Sequence, residues 1–305
     1  MTQNQYGLSR TIDALTKRAV RQRCGFGCVN CGCAVYQYEH LDPTFADAKS
    51  HDSDCIVLLC GGCHDRVTRK LLSKETIKLK SKNPKCLEQG FSFGPFDLGV
   101  IEPEIIFGTL KCKAVLSLIR ILGDDIFSIK PPESNGSPFL ISAKLSDRDG
   151  NEILRIEDNE WITNSDNWDV EVVGTNITIR RELGDILLSL RSEPPSRLVI
   201  EKLEMSYRGT KISANENKSI KISKQTGQQL DAGGIRIEGC QVGIDIVETG
   251  LTIGTGGGRV MIESMTISQT RPNPITSRLS KLYPQLSLPP FKLNHLRKII
   301  NQWGK

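Results

Sequence analysis

Cysteine is the residue type in this chain whose spacing most directly indicates chemistry. Seven of the ten cysteines lie within residues 24–63. Cys28 and Cys31 form one Cys-x-x-Cys pair, and Cys60 and Cys63 form a second. Two such pairs separated by a loop are a common ligand set for tetrahedral zinc. We therefore predict a structural zinc site, because four thiolates leave no coordination position open for water or substrate.

Two further cysteines offer alternative ligands near the first pair. Cys24 stands before Cys28 with three residues between them, and Cys33 lies two positions after Cys31. Two matching x₂ pairs fit a knuckle turn, in which backbone amides can point at the sulfurs. We therefore expect the two x₂ pairs to bind the zinc ion.

A carboxylate and two imidazoles lie close to these cysteines in the sequence. Glu39 and His40 come shortly before Pro43, and His64 directly follows Cys63. Such a trio suits metal-assisted hydrolysis. Neighbours on a strand point to opposite faces, so Glu39 and His40 can share a site only where the strand ends or bends. Pro43 makes an ending there plausible, because proline cannot continue a central ladder.

Three segments together resemble the HNH endonuclease family over roughly residues 10 to 80. They are Cys28–Cys31, Tyr38–His40 and Ile56–His64. The resemblance implies a ββα-metal fold that hydrolyses phosphodiester bonds in DNA. It implies His40 as the general base, with Glu39 and His64 as ligands of a catalytic Mg²⁺ or Mn²⁺.

The chain departs from the family pattern at one position. Cys55, with Asp54 beside it, stands where the family has the asparagine of its name. This substitution leaves open how the loop that carries His40 is held.

Composition indicates an ordinary globular protein, with 38% hydrophobic and 25% charged residues. A length of 305 residues favours two domains. No apolar run is long enough for a bilayer span, and residues 1–15 lack the apolar stretch of a secretory signal. Because the cysteines cluster as in a metal site, we expect a reducing compartment, the cytoplasm, and no membrane partner.

Charge is unevenly distributed along the chain. Residues 1–90 carry a net charge of +5, residues 91–270 carry −7 and residues 271–305 carry +7, which sum to the overall +5. Because Lys and Arg neutralise phosphates, the two ends are the expected nucleic-acid-binding parts. The alternative is that these side chains are only solvated. The predicted phosphate contacts near the cysteines are Arg18, Arg21, Arg23, Arg66, Arg69 and Lys70.

These observations predict an α+β protein of three parts. Residues 1–88 would form a small zinc-stabilised ββα-metal nuclease domain with a basic amphipathic helix at 8–23. Residues 89–270, rich in short Val, Ile and Leu runs, would form a mostly-β sensing or oligomerisation domain, either a sandwich or β-helix-like. Residues 271–305 would be a basic tail with a terminal helix.

Several local patterns carry narrower predictions. Ser73 should begin a second short helix. Residues 114–122 could be a helix or a buried strand. Gly254–Gly258 should be a turn, because it lacks the Lys-Ser/Thr of a phosphate-binding loop. His51 could bind metal or phosphate, but a surface position is favoured because no partner spacing singles it out.

The function expected from the sequence is DNA cleavage by an HNH endonuclease. By analogy, a small nuclease fused to an acidic β domain suggests a bacterial antiviral defence effector. One site of this kind nicks one strand, so cleavage of a duplex would require a homo-oligomer or a partner engaged through residues 89–270. The alternatives are a non-catalytic zinc module that binds nucleic acid or protein, and a protein whose β domain is the functional part.

Overall fold

The computed structural model describes residues 3–269. Within that range the helices lie between residues 14 and 89, and the rest is mainly β, as expected for an α+β chain. No helix in residues 3–269 has the length and apolarity needed to cross a bilayer. The predicted tail at 271–305 lies outside the described residues. The helices are α1 (Ala14–Cys24), α2 (Gly61–Thr68), α3 (Lys74–Lys82) and α4 (Lys85–Gln89).

The strands begin within the cysteine-rich segment and continue to residue 269. A short 3-10 turn, Ser53–Cys55, directly precedes the second strand. The strands are β1 (Tyr36–His40), β2 (Ile56–Cys60), β3 (Phe91–Pro95), β4 (Glu104–Phe107), β5 (Leu110–Lys113), β6 (Ser117–Ile121), β7 (Asp124–Lys130), β8 (Leu140–Ser146), β9 (Glu152–Glu157), β10 (Glu160–Asn164), β11 (Asp169–Val173), β12 (Asn176–Glu182), β13 (Asp185–Glu193), β14 (Arg197–Tyr207), β15 (Thr210–Asn215), β16 (Ile220–Lys224), β17 (Gln228–Gly233), β18 (Arg236–Glu238), β19 (Val242–Val247), β20 (Gly250–Thr255), β21 (Arg259–Met261) and β22 (Ser264–Gln269).

Two large sheets make up the β-rich region. The smaller has eight strands in the order β20-β19-β6-β7-β8-β9-β10-β3, and the larger has twelve, among them β4, β5 and β11 to β18. Most neighbours are antiparallel, with parallel pairs β4–β14, β5–β18 and β6–β19. Phe107 of the larger sheet and Phe127 of the smaller meet with ring centroids 5.4 Å apart inside one shared core. This largely antiparallel, two-sheet arrangement differs from a parallel β-helix.

A second, smaller core lies beneath the cysteine-rich segment. Val20 of α1, Ile56 and Leu58 of β2, and Ile77 of α3 are completely buried in it. β1 and β2 form a separate antiparallel hairpin, with Glu39 opposite Val57 and His40 opposite Ile56. Because this core is small, the hairpin and α2 depend on additional stabilisation beyond apolar burial.

Local capping explains where the predicted elements begin. α1 starts at Ala14 rather than at residue 8, because the Asp13 carboxylate accepts hydrogen bonds from the amides of Leu15 and Thr16. Ser73 caps α3 as predicted. The ambiguous run at 114–122 contains strand β6. Of the predicted turn at 254–258, Gly254 and Thr255 are the last residues of β20, and Gly256–Gly258 form the bend that leads into β21, with φ between 80° and 102°.

A buried ion-pair cluster joins α1 to the larger sheet. Arg21, only 2% exposed, donates from Nε and Nη2 to the two carboxylate oxygens of Asp169, both at 2.8 Å. Its Nη1 reaches Glu171 at 2.9 Å and the Tyr38 hydroxyl at 3.0 Å. Arg180 completes the cluster, 3.0 Å from Asp169. Residues 1–88 therefore share a buried ion-pair cluster with the larger sheet. A truncation near residue 90 would leave Arg21 without its carboxylate partners, Asp169 and Glu171.

We predict that Asp169→Asn strongly destabilises the protein. The substitution keeps the shape but removes the charge that compensates buried Arg21, and breaking a buried pair in this way costs about 3 to 5 kcal/mol. The free energy of unfolding would be measured by urea titration. The matched control is Asp158→Asn, which breaks the exposed pair with Lys130 and should cost about 1 kcal/mol or less. Equal losses in the two variants would contradict the assigned role.

Candidate functional site

The four cysteines of the two x₂ pairs form one cluster. The sulfur atoms of Cys28, Cys31, Cys60 and Cys63 all lie within 4.8 Å of one another, and those of Cys31 and Cys60 are 3.6 Å apart. A tetrahedral ion with Zn–S bonds of about 2.3 Å requires sulfurs about 3.8 Å apart. The cluster could therefore hold a metal ion such as zinc, and Cys24 and Cys33 are not part of it.

Backbone geometry aims these sulfurs at a common centre. The Cys28 amide donates to the carbonyl of Cys33 at 2.8 Å, which closes the turn that carries the first pair. Cys60 ends β2 and caps α2, where its sulfur accepts from the Cys63 amide at 3.4 Å. The Asn30 side-chain amide donates to the Cys63 sulfur at 3.2 Å. Such donors to sulfur favour thiolates, the form that binds metal.

The thiols of the cluster cannot all ionise without a cation. Hydrogen bonding from Cys31 lowers the pKa of Cys28 to about 5, and the same interaction raises the pKa of Cys31. Burial raises the pKa of Cys63 to about 11. One thiolate is thus stabilised while further ones are opposed by burial and by negative charge nearby. A divalent cation would remove this conflict, so the donor set fits zinc.

Glu39 and His64 come together at the junction of the hairpin and α2. Glu39 Oε2 lies 3.2 Å from His64 Nε2, and the two side chains are 23% and 36% exposed. Glu39 is on β1, and His64 is in the first turn of α2, directly after Cys63. A half-exposed carboxylate and imidazole at this distance could hold a divalent ion.

The His40 side chain projects from β1 on the face opposite to that of Glu39. Its Nε2 lies 3.1 Å from His51 Nδ1, and its ring packs edge-on against Phe45 at 5.5 Å between centroids. Alternation along β1 explains this, because Tyr38 and His40 share the face toward α1 while Glu39 faces α2. Among residues 3–269, no hydrogen bond, ion pair or ring contact joins the His40 side chain to that of Glu39 or His64. The structure therefore brings together two of the three predicted catalytic side chains.

The sequence did not indicate the role of His51. Its ring is half-buried between His40 and the Ser9 carbonyl, which lies 2.8 Å from His51 Nε2. Burial, then His51 and Arg10, lower the pKa of His40, which keeps its ring neutral near neutral pH. His40 also lines a surface cavity of about 270 Å³. The other lining residues are Pro43, Asp47, Ala48, Lys49, Ser50, Asp52 and Cys55.

Cys55, at the position of the family's asparagine, holds the loop through its backbone. Its carbonyl accepts from the Leu41 amide at 2.9 Å, which extends the β1–β2 pairing past His40. Its thiol contacts the Asp52 carboxylate at 3.6 Å. The loop between His40 and Cys55 is therefore closed without an asparagine side chain.

Three of the six predicted phosphate contacts are paired within the protein. Arg21 is buried against Asp169, and Arg18 pairs with the same carboxylate at 3.4 Å. Arg23 donates to the carbonyls of Ser53 and Ile56. The expectation that these arginines contact nucleic acid is corrected for Arg21, because burial makes its guanidinium inaccessible. The amphipathic helix α1 uses its basic side chains to join parts of the fold.

The other three predicted contacts are exposed. Arg66, Arg69 and Lys70 lie at or just beyond the end of α2, the helix that carries His64. Arg69 pairs with Asp65 at 3.1 Å, an exposed contact of little energetic weight. These cations remain available to a ligand near the Glu39–His64 pair.

Comparison with known proteins identifies no relative of the chain. No family model, no curated protein and no solved structure matches it. The case for a function therefore depends on the residues and distances described above.

We predict that the purified protein contains about one zinc ion, and that Cys31→Ser abolishes its binding. Loss of one thiolate removes a quarter of the ligand set, and because metal binding drives folding of small sites, the hairpin and α2 should lose structure. Metal content would be measured by elemental analysis, and local structure by amide exchange. Cys33→Ser is the matched control and should keep its zinc. Equal zinc loss in both variants would contradict the assigned ligands.

Proposed function

We propose that this protein is a metal-dependent endonuclease of the HNH type that hydrolyses phosphodiester bonds in DNA. The observation that carries the proposal is the 3.2 Å approach of Glu39 Oε2 to His64 Nε2. It occurs at the meeting point of a two-stranded hairpin and the helix that follows it, elements that the four-cysteine cluster holds together. This order of elements is what a ββα-metal fold requires.

In this proposal Glu39 and His64 hold a catalytic Mg²⁺ or Mn²⁺. When bound, the ion would stabilise the charge that develops on the phosphate and on the leaving 3′ oxygen. The zinc of the cysteine cluster is structural, because four thiolates complete its coordination. The two metal sites are adjacent through consecutive residues, since Cys63 belongs to one and His64 to the other.

His40 acts as the general base in the proposed reaction. Its neutral ring takes a proton from water, the water oxygen forms a bond to phosphorus, and the bond from phosphorus to the 3′ oxygen breaks. The leaving oxygen takes a proton from solvent. Because Glu39 and His40 leave β1 on opposite faces, the scissile phosphate must lie across the end of β1, where the chain turns at Asp42 and Pro43.

DNA would approach along the end of α2. Arg66, Arg69 and Lys70 supply positive charge on the same helix as His64. The basic tail at 271–305, outside the described residues, is a second source of phosphate contacts in this proposal.

The β-rich region is the proposed site of assembly or regulation. Within residues 3–269, β22 pairs with β17 and forms one end of the larger sheet. On β22 the Met265 side chain is 49% exposed and the Ile267 side chain is 69% exposed. An apolar sheet edge can pair with another chain, and a second copy would supply the second nick in a duplex. The proposed compartment is the reducing cytoplasm, because four of the cysteines are grouped as metal ligands rather than paired as disulfides. A role in antiviral defence is an analogy with other small nucleases fused to β domains.

The alternative function is a non-catalytic zinc module that binds nucleic acid or protein. The observation that favours it is the contact of His40 with His51 and Phe45 rather than with the Glu39–His64 pair. A binder would use the exposed cations of α2 without a catalytic ion.

We predict that the protein nicks supercoiled plasmid with Mg²⁺ or Mn²⁺, and that His40→Ala lowers the rate by about 10²- to 10⁴-fold, the usual contribution of a general base. Glu39→Gln should abolish nicking, because the substitution weakens binding of the catalytic ion. Gel assays of plasmid conversion provide the measurement.

Glu75→Gln, which changes an acid in the first turn of α3, is the control and should nick at the wild-type rate. Undiminished nicking by His40→Ala would remove the proposed mechanism. A folded, zinc-loaded wild type that binds DNA but never nicks it would favour the binding module.

We predict that replacing Arg66 and Lys70 with alanine weakens DNA binding and reduces its salt dependence. Removing one cation that neutralises a phosphate should lower the slope of log K against log salt by about 0.9. Fluorescence anisotropy over a range of salt concentrations would measure both quantities. Lys130→Ala, on β7, is the control and should leave the slope unchanged. An unchanged slope in the double variant would show that DNA binds elsewhere.

A further inference from the structure

We propose that His51 is a positioning residue that sets the tautomer of His40, so that Nδ1 of His40 is the nitrogen without a proton. The inference extends the proposed function, because it names the atom of His40 that would receive the proton from water. The tautomer itself is a property of the folded protein, and it can be measured without any nuclease activity.

The Ser9 carbonyl determines which nitrogen of His51 carries the proton. It lies 2.8 Å from His51 Nε2 and can only accept a hydrogen bond. His51 Nε2 must therefore carry a proton. In a neutral imidazole the other nitrogen is then an acceptor, so Nδ1 of His51 has a lone pair to offer.

The tautomer of His51 in turn determines that of His40. Its Nε2 lies 3.1 Å from His51 Nδ1, and two lone pairs facing each other at that distance would repel. His40 Nε2 must therefore donate, which leaves Nδ1 unprotonated in the neutral ring. Residues 3–269 provide no hydrogen-bond partner for this Nδ1, and His40 lines the 270 Å³ cavity beside β1. The base is thus oriented by two consecutive hydrogen bonds that begin at a backbone carbonyl.

The segment that carries Ser9 is itself anchored to the loop after β1. The Asn4 side-chain amide donates to the carbonyls of Phe45 and Ala48 at 2.7 and 2.6 Å. The side-chain oxygen Oδ1 of Asn4 accepts from the Leu8 amide at 3.0 Å, which closes the turn before Ser9. These contacts fix the Ser9 carbonyl relative to the loop on which His51 lies. The orientation of His40 therefore depends on residues that precede α1.

The tautomer can be read from nitrogen chemical shifts. Full-length, zinc-loaded protein with ¹⁵N-labelled histidine would be studied at pH 8, where ordinary histidine rings with a pKa of about 6.5 are neutral. Long-range proton–nitrogen correlations distinguish protonated from unprotonated ring nitrogens. The chain has four histidines, so His40→Ala, His64→Gln and His295→Ala spectra assign the signals.

We expect His40 and His51 of the wild type each to be protonated at Nε2 and unprotonated at Nδ1. In His51→Ala the His40 signals should move toward a mixture of tautomers, whereas His64→Gln should leave them unchanged. A His40 ring protonated at Nδ1 in the wild type would overturn the proposal, as would an unchanged tautomer in His51→Ala. If that variant fails to fold, a coupling through the hydrogen bond between His40 Nε2–H and His51 Nδ1 in the wild-type spectrum decides the assignment, and its absence would overturn the proposal.

The kinetic effect separates this proposal from the proposed function. If the protein nicks DNA, His51→Ala should lower kcat by about 10- to 100-fold with little change in KM, as is typical when a residue that orients a site is removed. An unchanged kcat would overturn the positioning role while leaving the nuclease proposal intact. A wild type that shows the expected tautomer without nicking would contradict the nuclease proposal and support the tautomer assignment.

Discussion

The arrangement of the candidate site depends on four cysteine sulfur atoms held within 4.8 Å of one another, close enough to share one ion. The hydrogen bond between the two sulfurs of the first pair lowers the pKa of Cys28 and raises that of Cys31, and burial raises the pKa of Cys63. A bound divalent cation would reverse this opposition to ionisation. Because Cys60 both ends β2 and caps α2, the ion would fix the angle between the hairpin and the helix. His64 follows the last of these cysteines directly, and its Nε2 lies 3.2 Å from Glu39 Oε2.

A second constraint comes from strand geometry. Glu39 and His40 are neighbours on β1, and alternation sends one toward α2 and the other toward α1. The chain thus separates the Glu39–His64 pair from the His40–His51 pair across one strand end. On the α1 side, Arg21 and Asp169 join the cysteine-rich region to the larger sheet through buried charge. Arg21 also donates to the Tyr38 hydroxyl, so β1 and the larger sheet share this buried cluster.

The parts that could be predicted from sequence are those determined by local spacing. The two x₂ cysteine pairs, the Ser73 cap and the glycine bend at 256–258 each depend on residues a few positions apart. The interactions that sequence did not reveal join distant residues: Arg21 meets Asp169 across 148 positions, and His51 Nε2 meets the Ser9 carbonyl across 42. A basic amphipathic helix looks the same in sequence whether it binds phosphate or buried carboxylates. Likewise, an isolated histidine in a polar loop shows no signal of the ring it will contact.

Binding of a second metal ion by Glu39 and His64 is the central claim, and manganese spin resonance tests it most directly. Zinc-loaded, full-length protein would be titrated with Mn²⁺, whose free-ion signal disappears on binding. The account predicts one Mn²⁺ site, absent in both Glu39→Gln and His64→Gln and retained in Cys33→Ser, with zinc content unchanged in all three. A wild type without such a site, or Mn²⁺ binding that persists in both the Glu39 and His64 variants, would contradict it.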